Sequence, residues 1–113
     1  MKENVFAKKI TKNIRDCNGL VLSVVGSRMQ ENSWPDIYVA HKYWTGWIEF
    51  KGEKTRLRKD QALKLEQLCE RGVQTYVVRY PNRIESYTGN LMCKFNPSDP
   101  VSLLRVLRSL QLQ

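Results

Sequence analysis

The sequence predicts an α/β fold, a mixed sheet flanked by helices. Three observations lead there. An amphipathic segment opens the chain, with Val5, Phe6, Ile10 and Ile14 on one helical face. Three short extended stretches then follow, joined by links too brief for a crossover. A helix-length segment closed by Gly72 precedes a further Val-rich strand, so that last connection suits a parallel step.

The first helix stops near Cys17-Asn18-Gly19, glycine being a natural helix end. Residues 20–25 are a short apolar run and read as a strand. Residues 26–33 are polar and read as a loop. Ile37, Tyr38 and Val39 favour extended backbone, giving a second strand over 36–41. His41-Lys42-Tyr43 is a turn in which His41 reads as a solvated side chain. Residues 44–51 form the third strand, 52–56 a basic loop, 58–71 a helix and 73–80 the fourth strand. A hairpin is predicted over 83–88 and 91–95 around Gly89-Asn90. The last helix begins at Asp99-Pro100, a cap residue followed by proline. It presents Leu103, Leu104, Leu107 and Leu110 to the core.

A chain of 113 residues is expected to be a single domain, 1–113. Nineteen Lys and Arg against eleven Asp and Glu give a formal charge of +8. The pI of about 9.6 suits a polyanionic partner. No apolar run approaches the length of a membrane span, and the polar Met1-Lys2-Glu3-Asn4 does not read as a signal peptide. A membrane partner is not expected. Cys17, Cys69 and Cys93 are widely spaced, with no Cys-x-x-Cys, so neither zinc nor a disulfide framework is expected. Reduced thiols and a cytoplasmic location are the default.

The chemistry concentrates in Pro35-Asp36 and, thirteen residues on, Glu49-Phe50-Lys51. Residues two apart on a strand share a face, so Glu49 and Lys51 stand side by side and Phe50 turns away. Asp36 and Glu49 are an oxygen ligand pair suited to Mg²⁺ or Mn²⁺. Lys51 places a positive charge beside them, for orienting water or stabilising charge on a phosphate. Glu3 shares the helical face of Phe6, Ile10 and Ile14, which aims a carboxylate at the interior or a cleft. Gln61 is the polar member of the stripe Leu57, Gln61, Leu65, Leu68. Lys54, Arg56, Arg58 and Lys59 form a basic cluster suited to backbone phosphates. By alternation Trp47 falls on the face of Glu49 and Lys51. It is read as core beneath the first helix.

This pattern resembles the PD-(D/E)XK nucleases, and within them the virus-type replication-repair nuclease (VRR-NUC) domain. The matching residues are Glu3, Pro35-Asp36, Glu49-Phe50-Lys51, Gln61, and Gly72-Val73 opening a strand that ends at Val77-Val78-Arg79. The likeness spans about residues 3–80. It implies a restriction-endonuclease-like α-β-β-β-α-β core with a mixed central sheet, leaving 81–113 as a small hairpin and helix extension. It implies that the backbone carbonyl of Phe50 joins Asp36, Glu49 and possible ligand Glu3 at the metal, and that Gln61 positions Lys51 or water. Two features depart from the family pattern. Trp34 stands where a small residue is usual before Pro-Asp, and the segment before the second helix is unusually basic.

The expected function is a Mg²⁺- or Mn²⁺-dependent DNA endonuclease. The resemblance implies branched DNA, such as four-way junctions or flaps, in repair, recombination or phage replication, in a bacterial or phage-infected cytoplasm. The alternative is a non-catalytic nucleic-acid-binding module on the same fold. A homodimer is expected, because one site cuts one strand and a chain of this length has a radius of gyration of only about 13 Å. The last helix is the element suspected of joining the subunits.

Overall fold

In the computed structural model, which describes residues 2–24 and 33–111, Phe6, Ile10 and Ile14 are buried along one face of helix α1 (Glu3–Asp16). Their spacing of four residues sets a single stripe against the sheet. The helix ends as Asn18 takes a positive φ of 70° and the Gly19 N–H bonds to the Ile14 carbonyl at 2.9 Å. Gly19 is needed for close approach: a Cβ there would lie 2.5 Å from Ile14 Cγ2.

Strands β1 (Leu20–Ser23), β2 (Ile37–Ala40) and β3 (Thr45–Lys51) follow as an antiparallel run. Helix α2 (Lys59–Glu70) crosses over the sheet and returns the chain to β4 (Thr75–Arg79), which pairs parallel with β3. Gly72, at φ 80°, makes the turn out of α2. Strands β5 (Arg83–Glu85) and β6 (Leu91–Lys94) complete a six-stranded sheet in sequence order. Helix α3 (Ser102–Gln111) ends the described chain. The mixed sheet, the parallel step through α2 and the terminal hairpin and helix all match the sequence expectation. The expected loop over 26–33 lies, except for Ser33, outside the described residues, as does Val25 at the expected end of the first strand.

The strand alternation divides the molecule. Trp44, Ile48 and Phe50 join Phe6, Ile10 and Ile14 of α1 and Leu103, Leu104 and Leu107 of α3 in one core. Phe6 meets the Phe50 ring edge-on, with centroids 6.1 Å apart. Glu49 and Lys51 point to the other face, where α2 buries Gln61 and Leu65. Both faces of β3 are therefore covered, and its last four residues are all buried.

Two side chains stand apart from their sequence reading. Trp47 is not beneath α1. Alternation carries it to the Glu49 face, where it packs on Tyr38 at 4.9 Å and on Trp34 at 5.5 Å between ring centroids. His41 is not simply solvated. Its Nδ1 accepts the Tyr43 N–H at 3.0 Å, so Nε2 carries the proton and donates to the Cys17 carbonyl at 2.8 Å. The imidazole ties the β2–β3 turn to the end of α1.

Candidate metal and nuclease site

Asp36 stands one residue ahead of β2, after the buried Pro35. Its Oδ2 accepts the Phe50 N–H at 2.8 Å. This bond fixes the carboxylate beside the end of β3, where Glu49 projects. Glu49 is 3 % exposed and Lys51 5 %, so both ionisable groups have left water. Lys51 Nζ lies 3.6 Å from Glu49 Oε2. That same oxygen accepts a bond from Gln61 Nε2 at 3.2 Å.

Gln61 is held in turn by its local backbone. Its Oε1 accepts the Arg58 N–H at 3.1 Å, one turn upstream at the start of α2. One side-chain amide thus satisfies an otherwise orphaned helix N-terminal N–H and orients Glu49. Glu3 reaches the site from the first turn of α1, where its Oε1 accepts the Gly52 N–H at 3.0 Å. Five residues from α1, the approach to β2, β3 and α2 are therefore brought together. They line a polar cavity of about 400 Å³, with Trp34, Arg58 and Asp60 at its rim.

The electrostatics are those of crowded carboxylates. Burial raises the pKa of Glu49 to about 8, and the neighbouring Asp36 adds to the shift while Lys51 opposes it. Burial also raises the pKa of Asp36, against the lowering effect of the Phe50 hydrogen bond. Two acids that resist ionisation, Glu49 buried and Asp36 half-buried, beside a single lysine leave room for further positive charge. Among the described residues no three His, Cys, Asp or Glu side chains are arranged to hold a metal ion. Asp36 and Glu49 are the available pair. That suits Mg²⁺, which is commonly bound through one or two carboxylates and keeps several waters.

Of the four basic residues singled out in the sequence, only Arg58 lines the cavity. It also pairs with Asp60 at 3.1 Å. Lys54, Arg56 and Lys59 are exposed on the segment leading into α2. Trp34 lies beneath the Lys64 ammonium, 4.6 Å from its ring centroid. It forms one end of the aromatic row through Trp47 to Tyr38.

Arg79 was read from the sequence only as the end of a strand, and its role behind the site was missed. It aligns with Lys51 across the parallel β3–β4 pair. Its Nη1 donates to the carbonyls of Gly52 at 2.7 Å and Thr55 at 2.6 Å. Its Nε donates to the buried Glu85 at 2.9 Å, whose other oxygen lies 3.3 Å from Arg83 Nε. Gly52 is consequently gripped from both sides, by Glu3 at its N–H and by Arg79 at its carbonyl. An arginine ending an otherwise apolar strand was the only sequence signal, and it does not name its partners.

No family model matches the chain, and no curated protein matches it. Among solved structures the chain is similar to Hjc of Archaeoglobus fulgidus, a Holliday junction resolvase from an archaeal hyperthermophile. The TM-score is 0.60 at 17 % identity, covering 92 % of this chain and 98 % of that one. At that identity the likeness speaks to architecture: this chain has the restriction-endonuclease-like fold, a mixed six-stranded sheet with flanking helices.

Proposed function

We propose that this chain is a divalent-metal-dependent DNA endonuclease that cuts branched DNA. The observation carrying this reading is the convergence of the half-buried Asp36 with the buried Glu49 and Lys51, and of Gln61 bonded to Glu49. The fold it shares with a Holliday junction resolvase and the resemblance to the VRR-NUC domain support the same reading.

Asp36 and Glu49, with the Phe50 carbonyl, would hold Mg²⁺ or Mn²⁺; Glu3, bonded to Gly52, would lie in the outer shell. When bound, such an ion polarises the scissile phosphate and lowers the pKa of a coordinated water. The residues do the rest. The Phe50 N–H fixes Asp36, and Gln61 fixes Glu49, so the ligand pair needs little rearrangement. Lys51 places its charge where negative charge grows on the phosphate or where the attacking water must be oriented. Arg58 at the rim, with Lys54, Arg56 and Lys59 beyond it, neutralises the DNA backbone.

One site cuts one strand, so paired cuts across a junction call for two copies of the chain. The proposed unit is a homodimer, with an axis matching the symmetry of the substrate.

The test is incubation of the purified chain with duplex, flap, splayed and four-way DNA in Mg²⁺, Mn²⁺ or EDTA. Metal-dependent cutting of branched substrates, lost in Glu49→Gln and Lys51→Ala, is the expected result. Binding without cutting under every ion would favour the non-catalytic module. Undiminished turnover by a folded Glu49→Gln protein would overturn the site.

A further inference from the structure

A second groove, about 750 Å³ in volume, runs between α1 and the β1–β2 side of the sheet. It meets the polar cavity at Glu3 and Asp36, which line both. Beyond Glu3, its helical wall is Ala7, Lys12 and Asp16 together with the stripe Asn4, Lys8, Thr11 and Arg15. The spacing i, i+4, i+7, i+11 sets these four on one face. Every one is polar and two are cationic, while the buried stripe of the same helix is wholly apolar after Glu3. Lys12 also borders the groove but is paired with Asp16 at 2.7 Å. Among the described residues Lys8 and Arg15 take part in no ion pair.

This groove lies on the α1 side of the sheet, whereas Arg58 and the basic segment before α2 lie on the other. Both approach the same Asp36. From Lys8 to Arg15 the helix rises about 10 Å. Successive phosphates of one strand rise about 3.4 Å along a duplex axis, so a helix aligned with that axis has the reach of roughly three phosphates.

Resting on the nuclease reading above, we infer that the α1 groove is the track for one phosphodiester backbone, carrying about three nucleotides on one side of the scissile phosphate. Lys8 and Arg15 are its phosphate contacts. The basic segment before α2 holds the backbone on the other side. The site therefore grips its substrate strand from both flanks, across the edge of the sheet at Asp36.

The test measures DNA binding in EDTA, where no cutting interferes, by fluorescence anisotropy over a range of salt. Wild type is compared with the double variant Lys8→Glu/Arg15→Glu and with Lys9→Glu. Lys9 is an exposed cation on the same helix that does not line the groove. The double variant is expected to bind about tenfold or more weakly at 0.1 M salt. The slope of log affinity against log salt should fall by about 1.4 to 1.8, two contacts' worth. Lys9→Glu should stay within about twofold of wild type. The neutral double variant Lys8→Ala/Arg15→Ala, at two exposed positions, should show the same loss of slope. If the double variants behave as Lys9→Glu does, the groove is a solvated face and the inference falls. The wild-type cleavage assay keeps the two readings apart. A wild type that cuts DNA while the double variants bind it normally removes the groove alone. A wild type that neither binds nor cuts DNA removes both.

Discussion

The N–H of Phe50 donates to Oδ2 of Asp36 across fourteen residues of chain, at 2.8 Å. This bond makes Asp36 a fixed carboxylate although it stands outside any strand. An asparagine oxygen accepts the same bond, so Asp36→Asn should keep the fold and lose the charge. Affinity for Mn²⁺, followed by calorimetry, should fall about a hundredfold or more, as for loss of a metal-site partner, and cleavage with it. A folded Asp36→Asn protein with unchanged Mn²⁺ affinity would remove Asp36 from the ligand set.

The raised pKa of Glu49, about 8, makes stability depend on pH. In the metal-free protein the folded state keeps the Glu49 proton up to about 8, whereas the unfolded chain releases it near 4.5. Its contribution is fully present below about 4.5 and is lost as pH rises towards 8. Glu49→Gln should flatten this decline and be the more stable protein at pH 8 without metal. Metal binding must displace the same proton, so wild-type Mn²⁺ affinity should rise by about tenfold per pH unit up to about 8. Thermal melts and Mn²⁺ titrations between pH 5 and 9 measure both effects. A pH-independent difference between wild type and Glu49→Gln would contradict the assignment.

Gln61 joins a helix cap to the site, and its two roles separate by mutation. Gln61→Glu retains the acceptor for the Arg58 N–H but sets a second negative charge against Glu49. Its cleavage should fall while its helix stability holds. Gln61→Ala loses both bonds, with a stability cost of about 1 kcal/mol from the cap. Rates fitted at saturating DNA, beside chemical denaturation, test the split. If Gln61→Glu cuts as fast as wild type, Gln61 serves the helix only.

Removing Arg79 should loosen the segment behind the site without touching the ligand pair. Arg79→Met leaves two carbonyls and part of Glu85 without their donor. The expected loss is about 3 kcal/mol, typical for breaking a buried pair. Arg79→Lys should rescue little, because an ammonium cannot reproduce the planar fork that reaches three oxygens. Mn²⁺ binding by the folded fraction should be unchanged. Denaturant melts and Mn²⁺ titration of both variants provide the check.

Subunit pairing is testable by light scattering with and without a four-way junction. Within α3, Leu103, Leu104 and Leu107 are buried, and Val106 and Leu110 pack against the same core. Among the described residues, Leu20 and Leu22 on β1 and Leu91 and Met92 on β6 leave large apolar side chains exposed at the two sheet edges, besides Val5 on α1 and Leu63 on α2. If a dimer forms, Leu20→Ser/Leu22→Ser or Leu91→Ser/Met92→Ser should weaken it more than changes on α3. A dimer that is sensitive only to α3 would reverse that assignment.

The strand and helix order was legible because each element carries its own period. Phe6, Ile10 and Ile14 repeat every four residues, and Glu49, Phe50 and Lys51 alternate about a covered strand. That alternation brought Glu49 beside Lys51, and the helical period set Gln61 on the inward stripe of α2. It was also enough to place Trp47 opposite α1, since Trp47 shares its parity with Glu49. What local pattern could not supply was distant pairing. Arg79 finds Gly52 and Thr55 only through the parallel register of β3 and β4. His41 finds the Cys17 carbonyl only once the β2–β3 turn meets α1. The stripe of Lys8 and Arg15 looks like an ordinary solvated helix face until a groove opens beside it.

The bonds that assemble the site differ greatly in how far along the chain they reach. Asp36 to Phe50 spans fourteen residues and Gln61 to Glu49 spans twelve. Glu3 to Gly52 spans forty-nine. The first two can close as soon as β2, β3 and α2 meet, whereas the third waits for the start of α1 to dock. Longer loops close at greater entropic cost, and helix ends fray first. The Gly52 amide should therefore exchange its hydrogen sooner than the Phe50 amide, reporting brief departures of the first turn from an otherwise intact ligand pair.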